Sequence, residues 1–203
     1  MREKIASFKQ RQKPTKLLGI RLNNWKMKAD EFYRASEYLW IELSKDYAEI
    51  LNRRKKEIIS GDFKERTYTP SLYQPYFLLI SLSIENLLKG IVLFNNPALL
   101  TDKLHHSIQT HDLVRISSFT DINFLRNEKE FFVMASTVIM WYSRYPIPNK
   151  ANNIIQSANF NTIKIRETYL KLFFKLSDEM NKSGGLTQNY NYIFLKRSSR
   201  HLR

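Results

Sequence analysis

Four residues carry the side chains that acid–base chemistry on a phosphate requires. Glu85 and Lys89, in Ile84-Glu-Asn-Leu-Leu-Lys89, stand four apart and so stack on one face of any helix that holds them. His111 opens His111-Asp-Leu113, and Arg144 lies in Trp141-Tyr-Ser-Arg-Tyr-Pro146. In a catalytic reading His111 is the general base, Arg144 and Lys89 neutralise a phosphate, and Glu85 orients one of them. Each residue also has a structural account. Glu85 and Lys89 can form an ordinary helical ion pair, Thr110 or Asp112 can cap a short helix beside His111, and Arg144 falls where a helix end favours a cation. Convergence of the four is the expectation, because flanks as apolar as Phe77 to Ile84 and Leu87 to Leu93 leave buried charges in need of partners.

Other chemistries lack their residues. There is no Gly-rich phosphate loop, no Gly-x-Ser-x-Gly elbow and no His-Glu-x-x-His helix. With no Cys in the chain, disulfides, thiolate zinc, iron–sulfur clusters and cysteine nucleophiles are excluded. A metal would have to draw on His105, His106 and His111 with Asp102 or Asp112, whose spacing is irregular, and no metal or cofactor is expected.

The elements that must position these residues read as helices. Only 5 Gly and 6 Pro among 203 residues leave little material for the tight turns of a many-stranded fold, and 43% hydrophobic residues can fill one core. The expected fold is an all-α helical bundle with long antiparallel helices and basic, flexible arms. Residues 1–24 form the N-terminal arm, 25–182 the bundle domain and 183–203 a basic, aromatic C-terminal tail. The recurrence of Phe32, Ala35, Leu39, Leu43, Tyr47, Ile50, Leu51 and Ile58 predicts one face of a long helix ending before Gly61. Leu72 to Phe94 is apolar on nearly every side and should be the central helix, stopped by Asn95-Asn96-Pro97. Glu85, Asn86 and Lys89 interrupt it, so a membrane span is not expected. Shorter helices are predicted over 112–118 and 127–142, and a last amphipathic one through Ile163, Tyr169, Phe173, Leu176 and Met180. Asn189 to Leu195 alternates enough for a short strand.

Charge is segregated along the chain. Of the formal +14, residues 1–30 hold +7 and residues 181–203 hold +5, while 31–180 carry 19 basic and 17 acidic side chains. Basic ends on a balanced globule suit a phosphate backbone, since each neutralised phosphate releases counterions. Arg11, Lys13 and Lys16 at one end, Lys196, Arg197, Arg200 and Arg203 at the other, and the run Arg53, Arg54, Lys55, Lys56 are the expected nucleic-acid contacts. The same charges could instead serve solubility or dock an acidic protein. The first 30 residues contain no apolar run of about 7–15 residues such as a secretory signal needs, so a cytoplasmic location is expected.

Ile84-Glu-Asn-Leu-Leu-Lys89, His111-Asp-Leu113 and Trp141-Tyr-Ser-Arg-Tyr-Pro146, in this order over residues 70–148, resemble uncharacterised bacterial members of the HEPN superfamily of helical bundles. The resemblance implies frequent dimerisation and a role with RNA in toxin–antitoxin, CRISPR-linked or other antiviral systems. HEPN ribonucleases cleave RNA without metal, using an Arg followed by a His after four to six intervening residues. The positions that would supply that Arg read Ala98-Leu-Leu100 for His105, Leu99-Leu-Thr101 for His106, Leu104-His-His106 for His111 and Phe194-Leu-Lys196 for His201. None is Arg; Lys196 and Arg197 before His201 are the nearest approximations, and the family's catalytic pair is not carried over. The expected function is therefore a HEPN-like nucleic-acid-binding component, RNA foremost, of a prokaryotic defence or toxin–antitoxin system, favoured as a binding or assembly protein with a possible homodimer or a protein partner. A metal-independent endoribonuclease with a non-standard His/Arg site is the alternative, and a structural subunit docking an acidic partner is the third reading.

Overall fold

A computed structural model describes residues 16–61, 72–99, 104–142 and 162–184. Among them lie five α-helices and no strand, the all-α bundle that the composition implies. Helix α1 (Lys16–Ser60) has 45 residues, whereas α2 (Tyr73–Asn95) and α5 (Thr162–Gly184) have 23 each. Helices α3 (Leu113–Ser117) and α4 (Arg126–Thr137) are short. The expected strand at 189–195 lies outside the described residues.

Helix α1 begins at Lys16, ahead of Trp25 where the sequence pattern changes, and residues 1–15 of the expected arm lie outside the described residues. Gly19 alone costs only about 1 kcal/mol in a helix, and the Leu, Lys, Arg and Ile around it tolerate that conformation well. At the other end the chain stops helically at Gly61, whose φ of 72° suits a residue without Cβ and whose N–H donates to the Glu57 carbonyl at 2.9 Å.

Helices α1 and α2 run antiparallel. The Trp40 and Tyr76 rings lie 5.5 Å apart near one end, and the Trp25 Cβ approaches the Gly90 backbone near the other. Helix α5 lies against both. It is antiparallel to α1, through Arg166 on Glu37 and the Tyr33–Phe173 stack at 4.3 Å. Against α2 it runs parallel, because Tyr76, Ser83 and Gly90 meet Arg166, Tyr169 and Met180 in that order. The antiparallel packing expected of the long helices thus holds for α1 against both α2 and α5. A connection as long as residues 96–161 removes the constraint that short loops impose, which allows the parallel pair.

Helix α2 is central, with Ile80, Ile84, Leu87, Leu88, Ile91, Val92 and Leu93 fully buried. By length and composition it could cross a membrane, but 72% of its most apolar window is buried inside the protein. Two polar ties fix the rest. Lys175 on α5 reaches Glu128 and the Asn123 carbonyl at 2.9 Å, anchoring the start of α4. The Ser36 hydroxyl is bonded within α1, and Ser83 bonds the buried Tyr169 hydroxyl at 3.1 Å.

The expected apolar face of α1 is rotated and only partly used. Its core contacts come from Ala29, Tyr33, Ser36, Trp40 and Leu43, while Phe32, Ala35 and Leu39 flank them half-buried. Tyr47, Leu51 and Ile58 continue the stripe but are 43%, 40% and 73% exposed. The reason is length: α1 extends about 67 Å at 1.5 Å per residue, against about 35 Å for α2 and α5, so its second half outruns both.

Candidate functional site

The site is built outward from the middle of α2. Lys89 Nζ donates to Glu85 Oε1 at 2.5 Å, one helical turn away, and His111 Nδ1 lies 3.1 and 3.2 Å from the two Glu85 oxygens. Glu85 and Lys89 side chains are 6% and 8% exposed, but His111 is 41% exposed. The carboxylate is thus enclosed, held by a cation on one side and bonded to an open imidazole on the other.

Local backbone bonds present His111 to that carboxylate. Thr110 Oγ1 accepts from the Asp112 N–H at 3.1 Å, and Asp112 Oδ1 accepts from the Arg115 N–H at 3.0 Å, so Asp112 caps α3. The Leu113 N–H donates to Ser136 Oγ at 2.8 Å, and Ser136 in turn donates to the Phe132 carbonyl. This stitches the first residue of α3 to α4, and burial of Leu113 and Ile116 completes the anchor. Of the two capping residues named from the sequence, Asp112 is the cap and Thr110 braces it from outside the helix. They and the Glu85 contact are compatible, because the cap uses backbone and the contact uses the ring.

Three of the four chemistry-bearing residues therefore converge; Arg144 lies outside the described residues. Helix α4 ends towards it in a π turn, Val138–Tyr142, which packs against α2 with Val138 and Ile139 buried. Such turns recur at functional sites because they re-aim the chain that follows.

The geometry divides the roles. When His111 Nδ1 donates its proton to the Glu85 carboxylate, the neutral ring keeps Nε2 as its basic atom, the arrangement of a carboxylate-oriented general base. Lys89 is enclosed with Nζ committed to Glu85, so it holds the carboxylate and does not face a substrate. The exposed His105 and His106 rings lie 4.1 Å apart and tilted to each other by 41°. Among the described residues no group of three His, Asp or Glu side chains could hold a metal.

The basic run sits elsewhere. Arg53, Arg54, Lys55 and Lys56 are all exposed on the last turns of α1, and none forms an ion pair with a described residue. The backbone of Lys16 starts α1, while Arg11, Lys13, Lys196, Arg197, Arg200 and Arg203 lie outside the described residues.

A second buried polar cluster was not singled out from the sequence. Arg166 donates to both Glu37 oxygens at 2.7 and 2.8 Å, lies 3.4 Å from the Tyr76 hydroxyl and stacks 4.5 Å over Trp40. Burial by itself lowers the Arg166 pKa, but the bond to Glu37 and the neighbouring Tyr76 outweigh it, so the guanidinium stays charged. Burial pushes Tyr76 up to about 12, although Arg166 pulls it down. The signal was present: Arg166, Tyr169, Phe173, Leu176 and Met180 are spaced three and four apart, which places a cation on the apolar stripe of α5. This cluster binds α1, α2 and α5 together, with Arg166 enclosed and Glu37 half-buried, a structural bolt in place of a reactive site.

Comparison of the chain with protein-family models, curated proteins and solved structures finds no match in any of the three.

Proposed function

We propose that the protein is a HEPN-like, all-α component of a prokaryotic defence or toxin–antitoxin system that binds nucleic acid, RNA foremost, in the cytoplasm. The observation that carries this reading is the exposed, unneutralised run Arg53, Arg54, Lys55, Lys56 on a helix extending past the bundle. It adds to the segregated charge of the chain ends, +7 in residues 1–30 and +5 in residues 181–203. Four consecutive helical residues point outward all round the axis, so the run makes a basic helix end that attracts phosphates from any side and reads no sequence.

The test is the salt dependence of binding to a labelled single-stranded RNA. Changing all four residues to Gln should weaken binding and reduce the slope of log K against log salt by up to about 3, at ~0.7 per lost phosphate contact. Removing residues 1–15 and 186–203 should reduce it further. Affinity and slope unchanged by both changes would refute the reading, and salt-dependent capture of an acidic protein with no RNA binding would favour the docking role.

One observation favours a second reading. The open His111 oriented by an enclosed Glu85 is what a metal-independent endoribonuclease needs in a base that takes the proton of a ribose 2′-OH. On that reading Arg144 stabilises the phosphate. His111→Ala should abolish RNA cleavage in chelator with no loss of folding, and cleavage unaffected by that change would end it.

A further inference from the structure

Helix α5 starts at Thr162, four residues before the Arg166 that grips Glu37, and Tyr76 in the first turn of α2 meets Trp40. Beyond about residue 44, α1 therefore runs on to Ser60 with no other described helix beside it. Its surface there is ordered. Ile41, Ser44, Ala48, Leu51, Lys55 and Ile58 alternate at spacings of three and four, which puts them within about 100° of the helix circumference. Tyr33 and Glu37, two of the residues that seat α5, fall in the same sector. The face thus prolongs the seat of α5 past the start of α5, with Ser44 half-buried and the other five residues exposed. A seam repeating every 3.5 residues is what one helix offers another.

The charges on this face are of one sign. Lys55 stands within it, and Lys45 and Arg54 border it on either side. The acidic Glu42, Asp46 and Glu49 fall on the opposite side of the helix together with Arg53 and Lys56, and Glu57 is buried away from the seam. Lys45 is already bonded to Glu42 at 2.8 Å, which leaves Arg54 and Lys55 without an opposite charge among the described residues. A partner must therefore bring carboxylates beside an apolar stripe. Shape narrows the choice further. The ends of α2 and α5 stand on the same side of α1 as this face, so a rod can lie along it and a flat bilayer cannot. The seam is aliphatic, whereas nucleic-acid bases stack on aromatic rings, and only Tyr47 lies at its edge.

We infer that the extended half of α1 takes up an amphipathic helix of a different protein, with its apolar stripe on Ala48, Leu51 and Ile58 and its flanking Glu or Asp side chains on Arg54 and Lys55. A second copy of this chain does not supply that stripe. Its acids lie off the seam, so pairing the two faces would set Arg54 and Lys55 against further cations. The seam from residue 41 to residue 58 is about 26 Å long, which is short for a stable interface, so apolar contact and charge are both needed. Arg53 and Lys56 stay outward, and the inference stands whether or not the chain binds RNA.

The experiment uses the full chain, free of RNA, and two labelled synthetic helices of about three heptads, both with Leu at the seam positions. One has Glu at the flanking positions and the other Lys. At about 0.15 M salt, fluorescence anisotropy should show binding of the Glu helix and none of the Lys helix. Leu51→Ser with Ile58→Ser leaves the charge unchanged but should weaken the Glu helix about tenfold or more, through lost apolar contact. Arg54→Gln with Lys55→Gln should weaken it severalfold, whereas Arg53→Gln with Lys56→Gln removes as much charge from the far side and should have little effect. All eight changes fall on exposed residues, so helicity by circular dichroism should not move. No binding of the Glu helix, equal losses from the two Gln pairs, or indifference to the Ser pair would overturn the inference. So would an RNA affinity or a self-association that the Ser pair abolishes, which would give the face to RNA or to a second copy.

Discussion

Replacing Glu85 by Ala removes the only described carboxylate beside Lys89 and leaves an ammonium that is 8% exposed without its partner. Breaking an enclosed ion pair from one side costs about 3–5 kcal/mol, because the remaining charge keeps its desolvation penalty and loses its compensation. An escape route sets the ceiling: shedding the proton at pH 7 costs any lysine about 4–5 kcal/mol. The expected loss is therefore about 3–4 kcal/mol, within the range that a buried pair of this kind gives. For a chain of this size that lowers the melting temperature by roughly 6–16 °C, at about 2–4 °C per kcal/mol. Lys89→Met should cost less, about 2 kcal/mol, because Glu85 retains its hydrogen bond to the His111 ring. The double variant should cost well under the sum of the two, with a coupling of about 2 kcal/mol. Urea unfolding followed by circular dichroism at constant m-value measures all three. A loss under about 1 kcal/mol for Glu85→Ala, or strict additivity in the double variant, would show that water reaches Lys89 and that the enclosure does not govern its energetics.

The Arg166–Glu37 bolt should behave similarly: Glu37→Ala is expected to cost about 3 kcal/mol in a urea melt, and Glu37→Leu with Arg166→Met to recover at least half of it, since an apolar replacement leaves no orphaned charge. Tyr76 gives a pH test. Its hydroxyl titrates near 10 in an unfolded chain but is pushed up to about 12 by burial in the fold, so the unfolded state releases its proton first and stability must fall as pH rises from 10 to 12. The loss is on the order of 2–3 kcal/mol, read as the part of the fall that disappears in Tyr76→Phe while Tyr169, also raised by burial, stays in place; a fall equally steep in Tyr76→Phe would contradict the assignment. At Gly90, a Cβ would lie 2.5 Å from Met180 Cε and 3.2 Å from Trp25 Cβ. Gly90→Ala should stay within about 1 kcal/mol of wild type, because helix propensity offsets a swing of the Met180 tip. Gly90→Leu should lose about 3 kcal/mol, as α1 and α5 would have to move apart, and equal melting of the two variants would disprove the close approach.

Local signals carried the sequence as far as elements and capping. The C-terminal end of α2 follows from Asn95-Asn96-Pro97, and the cap at Asp112 follows from a polar residue placed just before an apolar turn, because caps and breakers act over three or four residues. The apolar run of α2 made Glu85 and Lys89 conspicuous, and burial energetics was enough to demand a partner from another helix. His111 met that demand from 26 residues further along the chain. That step was legible because the cost of a lone buried charge does not depend on which fold buries it.

Tertiary structure decided what depends on lengths, directions and partners. The spacing of Tyr47, Leu51 and Ile58 reads as core, yet these residues are exposed because α2 and α5 are half as long as α1, and periodicity records a face without recording what stands opposite. Arg166 looked like one more charge on a helix until Glu37, Tyr76 and Trp40 closed around it from α1 and α2. The parallel course of α2 and α5 is invisible in either helix alone. The sequence by itself determined which segments are helices and which charges could not be buried alone, since propensity, capping and desolvation are local or context-free. Which face meets which neighbour, and which apolar stripe is left without one, is fixed only when three helices of unequal length pack together.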